Sequence, residues 1–96
     1  MAILSFRDAM ARDVYDGVDS KAARRISRLL WTRVAMKLDQ LNAAASLNDL
    51  RSPGNQLEKL EGNLAGYWSI RVNIQYRICF QFERGNASNV FCDDIH

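Results

Sequence analysis

The chain has little of what metal sites and disulfide frameworks are built from. Its 96 residues include one histidine and two cysteines. A single histidine, with no Cys/His cluster at metal-ligand spacing, argues against a zinc site, and no other cofactor is implied. Cys79 and Cys92 stand in separate apolar segments. Both are therefore expected to remain free thiols, as is usual in a cytosolic protein with two cysteines.

Long apolar runs are absent as well. Arg7 and Asp8 already interrupt the first ten residues. We therefore expect no signal peptide and no membrane span, and a cytoplasmic protein. The length fits one domain over residues 1–96, and 48% hydrophobic with 25% charged residues is an ordinary globular composition.

Neither sign of charge predominates, since the chain has 13 basic and 11 acidic residues and a net charge of +2. This balance is too mild to predict nucleic-acid binding by itself. The basic residues nevertheless bunch along the sequence, at Lys21, Arg24, Arg25, Arg28, Arg33 and Lys37, and again at Arg71, Arg77 and Arg84. The first group is equally compatible with a solvated helix face and with a binding surface.

The apolar pattern predicts helices in the first half of the chain. Residues 2–6 are short and apolar and predict a strand, and residues 8–15 have helical character that ends near Gly17. Apolar residues three and four apart predict a longer helix over residues 21–41, with an N-cap at Asp19 or Ser20.

Strands are predicted after Pro53, where the apolar period changes to two. The predicted strands begin near Leu57, cover residues 67–72 and 76–82, and end with residues 89–95, with turns at 73–75 and 83–86. In the third of them Arg77 lies on the face opposite its apolar neighbours. The order predicts an α+β domain in which two N-terminal helices pack on one face of a small, mostly antiparallel sheet.

Three residues stand out for their chemistry. Asp94 and His96 are two apart on the predicted last strand, so both side chains point the same way if the strand is regular. Histidine can transfer a proton near neutral pH, although a terminal histidine can also be frayed and inactive. Arg77 can grip a phosphate with two hydrogen bonds, or it can be a strand arginine paired with a nearby acid.

Several segments together resemble a known family. They are Arg-Ser-Pro-Gly-Asn-Gln-Leu-Glu-Lys-Leu-Glu-Gly-Asn, Gly-Tyr-Trp-Ser-Ile-Arg-Val, Tyr-Arg-Ile-Cys-Phe-Gln-Phe and an Asp-x-His ending. In this order and spacing they resemble the HigB toxins, the plasmid maintenance killer branch of the RelE toxin superfamily. The resemblance implies a RelE-like fold and an mRNA endonuclease that works in the ribosome. It also implies a HigA-type helix-turn-helix antitoxin as partner, through which any contact with DNA would be made.

The resemblance also implies catalytic roles. Arg77 would stabilise charge on the scissile phosphate, His96 would transfer a proton, and Asp94 would orient a group or contact substrate. Glu58 stands where the best-known pattern has a catalytic histidine, and a carboxylate can act as a general base. The implied mechanism uses no metal, because RNA carries its own nucleophile in the 2′-hydroxyl.

Four basic residues are RNA-binding candidates. Lys59 would supply charge beside Glu58, and Arg71 is a second candidate on the neighbouring strand. Arg24 and Arg28 belong to the predicted basic helix, which would contact ribosomal RNA or the antitoxin.

Two departures from the family pattern favour an alternative function. Glu61 replaces a lysine and places negative charge where the substrate is a polyanion. Ile95 replaces a tyrosine and cannot donate a proton. The alternative is a RelE-like binding module that has weak nuclease activity and serves mainly as the partner of an antitoxin.

Overall fold

The computed structural model describes residues 1–95, in which two helices precede four strands. Their bounds are α1 (Ala9–Asp16), α2 (Trp31–Ala43), β1 (Glu58–Lys59), β2 (Tyr67–Arg71), β3 (Tyr76–Glu83) and β4 (Asn86–Asp94). The strands form an antiparallel sheet in the order β1-β2-β3-β4. Helix α1 packs against β4, and α2 packs against α1 and β3. The predicted α+β fold is confirmed. No helix in this part of the chain combines the length and apolarity needed to cross a membrane.

Helix α1 lies where the sequence predicts helical character, and both of its ends are capped. The Asp8 carboxylate accepts a hydrogen bond from the Ala11 amide at 3.1 Å and so satisfies one of the exposed donors of the first turn. Gly17 ends the helix at φ 73°, a left-handed conformation that glycine adopts without a Cβ penalty.

The second helix is shorter than predicted, and the prediction of one continuous helix over residues 21–41 was wrong. Two 3₁₀ turns, Ala23–Arg25 and Arg28–Leu30, precede α2. Between them Ile26 is extended, at φ −113° and ψ 145°. The indole nitrogen of Trp31 donates to the Ile26 carbonyl at 3.2 Å, which replaces the helical hydrogen bond that this carbonyl would otherwise accept. Ile26 is buried in this conformation too, so the apolar spacing could not reveal the break.

The hairpin between β3 and β4 turns at two residues with positive φ, Arg84 at 51° and Gly85 at 78°. Two left-handed central residues are typical of a type I′ turn, whose twist matches that of the flanking strands. The strand β4 therefore begins at Asn86, earlier than predicted. The N-terminal segment runs parallel to β4, with bridges from Ile3 to Ala87 and from Phe6 to Val90.

Strand register decides which side chains face the helices. Ile78 on β3 lies opposite Ile70 on β2 and Cys92 on β4, and all three are buried. They belong to a core that includes Phe80, Leu38 and Leu41. Arg77, the residue before Ile78 on β3, points to the other face, because side chains alternate along a strand.

Candidate functional site

A cavity of about 750 Å³ opens on the sheet face that points away from the helices. Its wall includes Arg77 from β3, Arg71 from β2, Glu58 from β1 and Ile95 beyond β4. The volume lies in the range of about 300–1,000 Å³ that is typical of ligand sites. We call it the Arg77 cavity.

Arg77 is held in place by neutral oxygen atoms. Its Nε donates to Ser69 Oγ at 2.7 Å, and its Nη2 donates to the Ser69 carbonyl at 3.2 Å and to the Gln56 carbonyl. Ser69 is completely buried, and Arg77 is 8% exposed. Gln56 adopts φ 43°, a left-handed conformation that is uncommon outside glycine and that often accompanies functional sites. Three hydrogen bonds therefore fix the orientation of the guanidinium.

Arg77 forms no ion pair within residues 1–95. The ion pairs of this part of the chain join Arg12 to Asp13, and Arg24 and Arg28 to Asp19. The Nη1 nitrogen of Arg77 has no hydrogen-bond acceptor there and keeps access to solvent. A largely buried charge with unused donors is costly unless an anion joins it. The geometry is therefore suited to binding an anion from the Arg77 cavity.

Arg71 adds a second positive charge to the same wall. It lies directly opposite Arg77 across the β2–β3 pair. Like charges in directly opposed positions repel, which is unfavourable for the sheet alone. A shared anion between the two guanidinium groups removes that penalty.

Glutamates also line the Arg77 cavity. Glu58 pairs with Ser69, so its side chain is on the same sheet face as Arg77, and Glu61 follows nearby. Lys59 also borders the cavity, but its pairing with Trp68 turns its side chain to the other face. Its Nζ lies 5.9 Å from the centre of the Trp68 ring. The negative side chains can accept a proton, while Arg71 and Arg77 supply the positive charge.

Asp94 does not line this cavity. It lies opposite Tyr76 in the register of β3 and β4, whereas Asp93 lies opposite Arg77. Gln75 Nε2 donates to an Asp94 carboxylate oxygen at 3.2 Å. Side-chain alternation therefore places Asp93, not Asp94, on the face of Arg77. His96, the predicted proton-transfer residue, lies outside the described residues.

Arg24 and Arg28 also lie away from the Arg77 cavity. Both pair with Asp19, at 2.8 and 3.2 Å, and the Arg28 guanidinium carbon is 4.9 Å from the centre of the Trp31 ring. The break at Ile26 separates Arg24 from α2, whereas Arg28 lies in the 3₁₀ turn directly before α2. Arg24 therefore does not share a helical stripe with the basic residues of α2.

Two basic residues of α2 lie beside the site. They belong to the predicted basic helix but were not singled out from it as RNA-binding candidates. Arg33 and Lys37 line a cavity of about 290 Å³ that shares Arg71 with the Arg77 cavity. Burial, followed by the charge of Arg33, lowers the pKa of Lys37. In the sequence, the spacing of four between Arg33 and Lys37 indicated that both lie on one face of the predicted helix. No sequence feature indicated that this helix lies next to β2.

The cysteines are unsuited to nucleophilic chemistry. Both are free and buried, which confirms the predicted free thiols. Burial raises the pKa of Cys79 and of Cys92 to about 12, so the reactive thiolate form is scarce at neutral pH. In the part of the chain that the structure describes, no group of three or more histidine, cysteine or acidic side chains is placed to hold a metal ion.

Comparisons with known proteins agree with the fold and the sequence resemblance. A family model described as a RelE-like toxin of the type II toxin–antitoxin system HigB matches residues 4–96. Toxin HigB-1 of Vibrio cholerae is 44% identical over 91 residues, which cover 94% of each chain. Endoribonuclease HigB of Proteus vulgaris is 34% identical over 64 residues, covering 67% of this chain and 70% of the relative.

Solved structures of toxins share the fold at low sequence identity. The YoeB–YefM complex from Staphylococcus aureus matches with a TM-score of 0.60 and 17% identity, covering 100% of both chains. The YoeB/ParE toxin from Agrobacterium tumefaciens matches with a TM-score of 0.56 and 18% identity, again over 100% of both chains. At these identities the likeness concerns the architecture alone.

Proposed function

Because this chain belongs to the HigB-like family of RelE-like toxins from type II toxin–antitoxin systems, we propose that it is an endoribonuclease that cuts mRNA on the ribosome. The name of the Proteus vulgaris relative, endoribonuclease HigB, supports the reaction class. The observation that carries the proposal is the Arg77 guanidinium, which is fixed by neutral oxygens and has unused donors at the cavity. A phosphodiester is the anion that this arrangement fits.

The proposed reaction is an internal displacement at phosphorus. The 2′-oxygen of one nucleotide loses its proton and attacks the adjacent phosphate, and the bond from phosphorus to the 5′-oxygen of the next nucleotide breaks. The products are a 2′,3′-cyclic phosphate and a 5′-hydroxyl. Arg77, assisted by Arg71, stabilises the extra negative charge on the non-bridging oxygens. No metal is required, because the attacking oxygen belongs to the substrate.

Two proton transfers complete the reaction. Glu58 is exposed on the face of Arg77 and is our candidate for the base that removes the 2′-hydroxyl proton. His96 is the candidate for protonating the departing 5′-oxygen, on the strength of the family resemblance. Asp94 is assigned a positioning role, because the register turns it away from the phosphate site.

The proposed partners follow from the family and the charge distribution. A HigA-type antitoxin would silence the toxin, and the solved YoeB–YefM complex from Staphylococcus aureus is a toxin–antitoxin pair with this architecture. The ribosome would supply much of the substrate positioning, which suits a chain of net charge +2. Arg24 and Arg28 are candidates for ribosomal RNA or antitoxin contact, Lys59 and Arg71 for mRNA contact. The place of action is the cytoplasm.

The test is cleavage of mRNA during translation by purified protein. Arg77→Ala should lower the cleavage rate about 100- to 1,000-fold, as expected for the loss of one preorganised charged donor. Arg77→Lys should remain impaired, because an ammonium cannot reproduce the planar fork held by Ser69. Arg12→Ala is the matched control, since Arg12 is an exposed arginine of α1 away from the cavity. The released fragment should begin with a 5′-hydroxyl, whereas a 5′-phosphate would reject the proposed chemistry.

A second candidate function is favoured by the cavity wall. Glu61 and Ile95 both line it; Glu61 places negative charge beside a polyanion, and Ile95 cannot donate a proton. The alternative is therefore a binding module with weak nuclease activity whose main role is complex formation with an antitoxin. Intact mRNA at saturating protein, together with tight antitoxin binding, would establish this alternative. Cleavage that depends on Arg77 would exclude it.

A further inference from the structure

A second arginine lies on the same sheet face in an unusual setting. The backbone of Arg7 donates to the Val90 carbonyl at 2.8 Å, which fixes the N-terminal segment beside β4. Its guanidinium carbon lies 4.7 Å from the centre of the Phe91 ring and 5.7 Å from that of Tyr67. The two rings meet edge to face at 5.5 Å. The guanidinium therefore makes cation–π contacts with both aromatic rings.

The guanidinium of Arg7 is otherwise unengaged. Within residues 1–95 its side chain makes no hydrogen bond and no ion pair, and the residue is exposed. Phe91, in contrast, is buried, at 6% exposure. One side of the guanidinium therefore rests on the aromatic pair, while its hydrogen-bond donors remain accessible to a ligand.

This arginine lines a small cavity that adjoins the proposed active site. The cavity has a volume of about 200 Å³, and Phe91 and Asp93 also line it. Leu64 and Ile95 belong both to this wall and to the wall of the Arg77 cavity. The two cavities are thus neighbouring parts of one groove, separated by apolar side chains.

The chemistry of the small cavity fits a nucleobase better than a phosphate. Asp8 and Asp93 are part of its wall and would repel an anion. A neutral, flat base can stack on the guanidinium, and stacking on arginine planes is a common mode of single-strand RNA recognition.

We propose that Arg7, backed by Phe91 and Tyr67, is the stacking platform for one base of the RNA strand whose phosphate binds at Arg77. The stacked base would belong to a nucleotide next to the scissile phosphate, because the two cavities share a wall. This assignment rests on the proposed function for the identity of the ligand. It adds a positioning subsite that does not take part in bond breaking.

The test compares RNAs that lack single bases. mRNA that is 2′-O-methylated in the decoding region cannot be cut, and one abasic nucleotide is placed in turn at each position of that region. Binding is measured by fluorescence anisotropy, on programmed ribosomes and with free RNA, for wild type, Arg7→Ala, Arg7→Lys and the control Arg12→Ala. Thermal unfolding checks that each variant folds. If Arg7→Ala does not fold, the comparison is made with Arg7→Lys alone.

For wild type and Arg12→Ala, removing one particular base should weaken binding about 5- to 150-fold, as expected for a lost stacking contact. For Arg7→Ala and Arg7→Lys, intact RNA should bind more weakly, and removing that base should have little further effect. The stacking site is refuted if the abasic penalty persists in the Arg7 variants or if no position shows one. Cleavage of unmodified mRNA is assayed separately, so failure of the nuclease proposal is distinguishable from failure of the stacking site.

Discussion

Replacing Ser69 with alanine should expose how strongly the site depends on the buried arginine. The substitution removes the hydroxyl that accepts from Arg77 Nε at 2.7 Å. Ser69 is completely buried and Arg77 is 8% exposed, so water has little access to the donor that is left behind. An unsatisfied charged donor in such a place is expensive, whereas the lost hydroxyl volume is small.

The expected cost in the free energy of unfolding is about 1.5–3 kcal/mol, the range for hydrogen bonds to charged groups. For a domain of this size, a loss of 1 kcal/mol lowers the melting temperature by about 4–8 °C. Ser69→Ala should therefore melt about 6–24 °C below wild type. Cleavage should fall as well, because the guanidinium loses one of the contacts that orient it.

Urea unfolding followed by circular dichroism measures the free energy, in a double-mutant cycle with Arg77→Met. In the Arg77→Met background, Ser69→Ala should cost less than about 0.5 kcal/mol, because no buried donor remains to be satisfied. Ser88→Ala is the matched control, since Ser88 lies on β4 and its side chain makes no hydrogen bond in residues 1–95. Equal, small losses for Ser69→Ala and Ser88→Ala would refute the reasoning.

Three further predictions concern the hairpin, the thiols and acid stability. Gly85→Ala should cost about 1–2 kcal/mol at its φ of 78°, whereas Gly54→Ala, where φ is not positive, should be neutral or slightly stabilising in the same urea assay. Both cysteines should resist a thiol reagent at pH 8 until urea unfolds the protein, because burial raises their pKa to about 12; rapid labelling of the native protein would contradict this. The Ser20 hydroxyl donates to Asp13 and is the main cause of that carboxyl's lowered pKa. Its stabilisation should be present above the unfolded pKa of about 3.9 and disappear as pH falls through the lower folded value, so Ser20→Ala and wild type should converge in acid.

The sequence predicted the parts of the site that depend on local pattern. Alternation around Arg77 placed it on the face opposite Ile78, because side chains of successive strand residues point to opposite sides of a sheet. The end of α1 near Gly17 was predicted too, because a left-handed residue ends a helix within a few residues of the chain. The cavity formed by Arg77, Arg71 and Glu58 has no such local signal.

Two features of the chain needed tertiary information. Ile26 is buried whether its segment is helical or extended, so periodicity predicted one helix where two short turns and a helix exist. The sequence left open whether the last strand is regular. In the structure Asn89 adopts φ 50°, and the register between β3 and β4 shifts between Cys79 and Gln81. Register across strands depends on hydrogen bonds between residues far apart in sequence, and no single segment encodes it.

By itself the sequence determined the order of the main elements, the face of β3 on which Arg77 lies and the family to which the chain is similar. Folding decided that Asp93 rather than Asp94 lies opposite Arg77, and that Arg33 and Lys37 adjoin Arg71. It also placed the Arg7 guanidinium against the Phe91 ring, beside the Arg77 cavity. The physical reason is range: propensity and alternation act between near neighbours, whereas a binding site is made where distant segments pack together.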